Sequence, residues 1–220
     1  MSFIDRIDAG RQLAKALARY QKHRPVVLAL PRGGVPVAAE VATALDAPLD
    51  LILVRKIGVP FQPELAMGAV VDGADPVIVR NEEVIKLSGV SERDFNAIRD
   101  EQLAEIERRR KLYLGNRPHP AISGHTVIVV DDGIATGATT RAALQAIRMR
   151  KPSKLVLAVP VAPTDTLTKL QGEADEIVCL EDYVEFGAIG FFYSDFRQIS
   201  DTEVIALLAQ HPVKAPADTG

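Results

Sequence analysis

The chemistry-bearing residues of this chain concentrate in one stretch, where the apolar residues 127–130 run into Asp131-Asp132-Gly133-Ile134-Ala135-Thr136-Gly137-Ala138-Thr139-Thr140. A β-branched run, two acids and a Gly-, Ala- and Thr-rich segment ahead of a helical pattern predict a strand, a turn and the start of a helix. The first amides of a helix have no intrahelical partner and carry partial positive charge, so a phosphate dianion is stabilised there without any lysine. Gly137 lets the backbone approach closely, and Thr136, Thr139 and Thr140 add hydroxyl donors. Two carboxylates beside an anion would repel it, so Asp131 and Asp132 are expected to face something else. A vicinal diol suits them: carboxylate oxygens accept charge-assisted hydrogen bonds from both hydroxyls, and one sugar then spans diol and terminal phosphate. In the plainer reading the acids end a strand and cap a helix while the threonines favour a turn. That explains each residue singly but not their order.

A second candidate anion site is Pro31-Arg32-Gly33-Gly34-Val35-Pro36, which follows the apolar run 26–30. The glycines permit close approach, Arg32 offers a fork of donors matched to phosphate oxygens, and Pro36 fits a first helical turn. A Gly-Gly connector is commonplace by itself; its weight comes from lying at the same sheet edge as the first turn, where ligands bind in open α/β sheets. Arg55-Lys56 ends the run 50–54 at that edge as well, although a basic pair at a strand end can simply be solvated. Segment 57–66, with Gly58, Pro60 and Pro63, reads as a loop able to close over a reacting centre. Neither a Walker A pattern nor a Gly-x-Gly-x-x-Gly fingerprint is present.

Those turns need elements to hold them. Apolar runs at 26–30, 50–54, 126–130, 155–160 and 175–180 alternate with helical patterns, which predicts βαβ units around an open, mostly parallel twisted sheet flanked by helices. Val37, Val41 and Leu45 mark one apolar helix face; Ala143, Leu144 and Ile147 mark another, stopped by Pro152. Asp8 is the expected cap of an N-terminal helix through Leu13, Leu17 and Tyr20. Segment 67–79 reads as a hairpin insertion with a polar turn at 72–76. A long charged helix is expected from Ser91 to about Tyr113; its Arg108-Arg109-Arg110-Lys111 run could catch phosphate, but a solvated face near a helix C-terminus is the plainer reading. Ser200-Asp201-Thr202-Glu203 fits a capping box opening a last helix, and the tail from about His211 is expected to fray. The whole reads as one domain, with a core at about 25–180 and a C-terminal segment at about 181–200.

With 26 basic and 29 acidic side chains mixed along 220 residues, no electrostatic footprint favours nucleic acid or an anionic membrane. The single cysteine, Cys179, excludes an internal disulfide and a multi-cysteine zinc site, and its apolar surroundings suggest a structural thiol. With no leader pattern and no long apolar span, the chain reads as cytoplasmic. His23, His119, His125 and His211 form no ligand pattern and read as surface residues.

The 127–140 segment, four hydrophobics, two acids, two variable residues, then a small residue, Thr-Gly and hydroxyls, resembles the signature of type I phosphoribosyltransferases. Arg32-Gly33-Gly34 is similar to that family's pyrophosphate loop. The resemblance covers about 25–197. It implies that fold, with a small C-terminal hood, and transfer of 5-phosphoribosyl from 5-phosphoribosyl 1-pyrophosphate (PRPP) to a nitrogenous base with loss of pyrophosphate. It further implies Mg²⁺, a homodimer, and a strained or cis peptide in the pyrophosphate loop. Carried over, Arg32, Lys56, Asp131 and Asp132 would be catalytic, with both acids available to the metal through ribose or water. Gly33, Gly34, Arg55, Asp131, Asp132, Gly133, Ala135, Thr136, Gly137, Ala138, Thr139 and Thr140 would contact the donor. Ala135 departs from the pattern of 6-oxopurine salvage enzymes, which commonly have aspartate there, and leaves a general base unassigned.

The hood corresponds to 181–187 and Phe191 to Arg197; its aromatics either stack on a base or form a local core pinning the last helix. Glu64 and Asp195 are candidate polar contacts. Two rival functions share the same cradle: a PRPP-binding regulator, and a hydrolase or phosphatase of phosphorylated sugars.

Overall fold

A computed structural model describes residues 2–72 and 76–213. In chain order it contains α1 (Arg6–Leu17), β1 (Val26–Ala29), α2 (Gly34–Leu45), β2 (Leu49–Leu51), β3 (Val54–Val59), β4 (Gln62–Val71), β5 (Val77–Arg80), α3 (Glu82–Ser88), α4 (Glu92–Tyr113), β6 (Thr126–Val130), α5 (Ala138–Met149), β7 (Lys154–Pro163), α6 (Thr164–Leu170), β8 (Glu176–Tyr183) and α7 (Asp201–Ala209). Short 3-10 turns lie at Ala18–His23 and Ile189–Phe192.

Five strands pair in parallel in the order β2-β1-β6-β7-β8, so the expected open α/β sheet is borne out. Successive residues of a strand point to opposite faces. Val27 and Ala29, with Ile128 and Val130, enter the core shared with α1 and α2, whereas Val26 and Leu28, with Val127 and Val129, enter the core shared with α5. The chain thus leaves β1 and β6 for opposite sides of the sheet, and a crevice opens between their C-terminal ends. β7 and β8 extend beyond the predicted runs because Val161↔Glu181, Ala162↔Asp182 and Pro163↔Tyr183 continue their pairing.

A second sheet, β3-β4-β5, is antiparallel and includes the predicted hairpin. Residues 73–75 of its polar turn lie outside the described residues, as do 214–220 of the C-terminal tail. Two expectations need correction here. The run 50–54 is not one strand: pairing with β1 ends at Leu51, and from Val54 the chain pairs with β4, so Arg55-Lys56 begins a new sheet instead of ending a strand. Segment 57–66 is a β-hairpin turning at Pro60-Phe61, because Val59 pairs with Gln62. Phe95 of α4 packs beneath this sheet with the Arg80 guanidinium 4.2 Å over its ring.

Helix α1 is capped by Asp5, whose carboxylate accepts from the amide of Asp8, and not by Asp8. The reason is upstream pairing: the amides of Ser2 and Phe3 both donate to Phe192 O, which holds the chain extended up to the cap. Ser91 caps α4, and the capping box at Ser200 and Glu203 is formed. Helix α3, capped by Asn81, is an addition to the expected elements; its 7 residues are too few to show helical period clearly. Arg108 and Arg109 pair with Glu105, and Arg110 and Lys111 with Glu107, as a charged helix face should. The Cys179 thiol is pushed up to about 11 by burial, so it is protonated and unreactive near neutrality. Among the described residues no helix is long and apolar enough to cross a membrane.

His119 binds the buried carboxylate of Asp50 at 2.7 Å, which raises its pKa above the ordinary 6.5 despite an opposing effect of burial. Its contribution to stability is therefore complete below about pH 6.5 and is lost as pH rises through the raised folded value. We expect His119→Asn to lower the urea midpoint more at pH 5.5 than at pH 9; equal losses at both pH values would refute the charged pair.

Candidate functional site

The two predicted anion turns leave neighbouring strands. Val130 O accepts from Leu30 N at 2.9 Å; beyond that bond residues 31–34 and 131–132 stay in contact before the chain enters α2 on one face and α5 on the other. The Pro31-Arg32 peptide bond is cis, where the resemblance implied such a peptide. Gly33 and Gly34 then pass directly over the acids. A Cβ on Gly33 would fall 2.0 Å from Asp132 Oδ2, and one on Gly34 would fall 2.8 Å from Val130 O and 2.9 Å from the Asp131 Cα. Gly33 has φ −61°, which any residue adopts, so what it supplies is space.

The 131–137 turn is tied down by its flanks. Ile134 N donates to Val161 O at 3.0 Å, and Thr166 Oγ1 donates to Ala135 O at 2.9 Å. Gly137, at φ 75°, occupies the left-handed region where a side chain is strained, and it is the N-cap of α5. Having no side chain, it caps none of the amides of Ala138, Thr139 and Thr140, which remain directed out of the helix start. Ala135, Thr136, Ala138 and Thr139 are exposed, whereas Gly133 and Thr140 are buried. Thus only two of the three predicted hydroxyl donors, Thr136 and Thr139, lie at the surface of the turn.

The twin acids are not equivalent. Asp131 is partly exposed, and its Oδ1 accepts from Asp132 N at 2.9 Å. Asp132 is buried and turned inward: its Oδ2 accepts from Arg6 Nε at 2.7 Å, and its main-chain oxygen accepts from the Tyr193 hydroxyl at 2.5 Å. Arg6 also donates to Arg197 O at 2.8 Å and lies 3.8 Å over the Phe196 ring. Although part of Asp131 reaches solvent, the protein packed around its carboxylate desolvates it and holds it well above the usual carboxylate range, with the Asp132 charge adding to the effect. Burial raises Asp132 too, opposed by Arg6.

The basic residues gather less tightly. Arg32 Nη1 is 3.5 Å from Asp201 Oδ1, the same oxygen that accepts from Tyr113 at 2.6 Å. Arg55 Nε donates to Gln102, and Lys56 Nζ pairs with Glu64 at 3.1 Å on the exposed hairpin. Lys56 and Thr139 line a cavity of about 480 Å³ between α5 and the antiparallel sheet. Arg55, Arg109, Pro31 and Thr139 line a small cleft beside it. Asp195 accepts from the amide of Arg197 and lines a different cavity, with Pro36 and Glu203, that neither acid of the turn borders. The hood aromatics stack on each other, Tyr183 on Phe192 at 4.7 Å and Phe186 on Phe192 at 4.9 Å, so they form a local core, with Phe191 left exposed. That core joins the hood to Phe3 of the N-terminal segment, and the hood meets the last helix through the Arg197–Glu203 ion pair.

Arg6 is a site neighbour outside every motif, whereas Tyr193 was expected only as one of the hood aromatics and Arg109 only as one of four basic residues on a charged helix. Arg6 did leave a signal, since it shares the buried face of α1 with Ala9, Leu13 and Leu17. A charged residue in such a row has a buried partner. Arg109 had none to distinguish it from its three basic neighbours.

Gly33→Ala should displace Asp132 and lower stability by about 1–3 kcal/mol, the usual cost of overpacking. Gly115→Ala, at a left-handed position open to solvent, is the control for strain without crowding. Urea unfolding of both variants measures the difference; a Gly33→Ala midpoint equal to wild type would show that the loops do not meet as described.

The comparisons with known proteins agree with this geometry. Residues 4–191 match the model of the phosphoribosyl transferase domain. Two proteins of Mycobacterium tuberculosis, from strains H37Rv and CDC 1551 and each provisionally named a phosphoribosyl transferase, are 49% identical over 206 residues, which is 94% of this chain. The chain spans about half the length, 46%, of these curated relatives. The crystal structure of TT1426 from Thermus thermophilus is similar at a TM-score of 0.80 and 40% identity, over 97% of this chain and 100% of that one. A shared parallel sheet, paired turns at its switch point and a family match that spans both turns lead to one conclusion: the chain belongs to the phosphoribosyl transferase domain family.

Proposed function

We propose that this chain transfers the 5-phosphoribosyl group of PRPP to a nitrogenous-base acceptor and releases pyrophosphate. The observation that carries the reading is the uncapped start of α5, set beyond a partly exposed Asp131 and across the switch-point crevice from the Arg32-Gly33-Gly34 loop. A terminal phosphate on the amides of Ala138, Thr139 and Thr140 directs the sugar back towards the acids. Gly133, Ala135, Thr136 and Gly137 form the wall of that cradle. Pyrophosphate then lies towards Arg32, with Arg55 and Lys56 as further cations.

The bond that breaks joins C1 of the ribose to the pyrophosphate oxygen, and the acceptor nitrogen forms the new bond. Charge grows on the leaving group, so cations already in place there lower the barrier. Among the described residues no group of three or more His, Cys, Asp or Glu could hold a metal. The two acids of the turn nonetheless suit Mg²⁺, which is commonly held by one or two carboxylates and substrate phosphates. Asp131 is the accessible ligand, with Asp132 behind it, and the ion would supply further charge neutralisation at pyrophosphate. The β3–β4 hairpin, whose Lys56 and Ala66 line the same cavity as Thr139 and whose Phe61 is exposed at the tip, would exclude water from the reacting centre. Ala135 cannot exchange a proton, which favours an acceptor other than a 6-oxopurine. A single domain, a homodimer and a cytoplasmic location complete the reading.

Incubation with Mg²⁺ and PRPP, with and without a panel of bases, tests it through pyrophosphate release. Release that requires a base is expected. Release without one would make the chain a hydrolase, and binding without turnover a regulator. Chymotrypsin cleavage within 57–66, after the exposed Phe61 or Leu65, is expected to slow when PRPP is added; an unchanged rate would remove the closing role of the hairpin.

A further inference from the structure

We infer that Arg6 is a positioning residue of the donor site, which pins Asp132 beneath Gly33 and leaves Asp131 as the carboxylate of the pair that faces the sugar. The inference rests on the transferase reading above and assigns its two acids different tasks.

Asp132 is held at three of its four polar atoms. Its carboxylate takes Arg6 Nε at 2.7 Å, its carbonyl takes the Tyr193 hydroxyl at 2.5 Å, and its amide donates to Asp131 Oδ1 at 2.9 Å. Arg6 and Asp132 are each only 8% exposed, so turning the carboxylate towards a ligand would leave a buried guanidinium without its counter-ion. Gly33 packs on the same Oδ2, and the pyrophosphate-type loop therefore rests on the carboxylate that Arg6 holds. Asp131, by contrast, keeps solvent access at the crevice.

The chemistry of the clamp requires arginine. The guanidinium serves two acceptors from different segments, Asp132 and Arg197 O, while its face lies 3.8 Å over Phe196. A lysine ammonium supplies the charge but neither the planar face nor the fixed fork. Through these contacts α1, the hood and both donor turns are joined at one residue.

The test uses Arg6→Met, Arg6→Lys, Asp131→Asn, Asp132→Asn and the double variant Arg6→Met/Asp132→Asn, each measured for melting temperature and for PRPP affinity with Mg²⁺ by calorimetry. Arg6→Met should melt earlier and bind PRPP about 100-fold more weakly, as a displaced binding group does. Arg6→Lys should recover part of both losses. The double variant, which no longer buries an unpaired charge, should regain most of the melting temperature while PRPP affinity stays low; this split separates positioning from bulk stability. Asp131→Asn should weaken PRPP more than Asp132→Asn. Return of affinity with stability in the double variant, or the opposite ranking of the two aspartate variants, overturns the inference alone. A wild-type chain with no affinity for PRPP overturns the transferase reading, and this inference with it.

Discussion

A carboxylate taken out of water must keep its counter-charge, and at the crevice that requirement falls on Asp132. Arg6 meets it from α1, and the arrangement of the crevice follows. With Asp132 drawn inward, the 31–34 loop can settle on it only through a residue that lacks Cβ, and Gly33 occupies that place. Asp131 is then left at the surface of the turn, and the next residues curve over Val161 and Ile189 towards the helix start.

The sheet order supplies the crevice in which this contact forms. β1 and β6 are parallel neighbours in register, and their following helices cover opposite faces, so two helix starts flank one gap. One of them begins with a left-handed glycine and no side-chain cap. Its open amides suit an anion, whereas the apolar floor beneath both turns resists water. The antiparallel sheet adds a third wall, bringing Lys56 within the same cavity as Thr139. Its cations are restrained by local acids, Lys56 by Glu64 and Arg80 by Glu82 and Glu92, so that wall is less positive than its basic residues suggest.

Much of this was legible in one dimension because short-range periodicity reflects burial. The alternation of apolar runs and helical faces marked the parallel strands, the two helices at the crevice and the capping box at Ser200. Where burial did not decide the outcome, the reading failed. Of residues 54–59 only Ile57 and Val59 are buried, and it is their partner strand that decides their fate, so the transition from β2 into the antiparallel sheet could not be seen. Segment 57–66 carried turn residues and was read as a loop, yet its backbone groups pair across a hairpin.

By itself the sequence determined which segments are strand, turn and helix around 26–45 and 126–149, and that the second turn combines acids with an open helix start. Those properties depend on neighbours a few residues apart, within reach of local patterning. Tertiary structure alone decided which acid faces the crevice, because Arg6 and Asp132 are 126 residues apart and meet only after α1 has been laid on the sheet. It also decided that the hood aromatics pack on one another and on the N-terminal segment, since several apolar rings bury most surface together when chain ends distant in sequence are brought into one cluster.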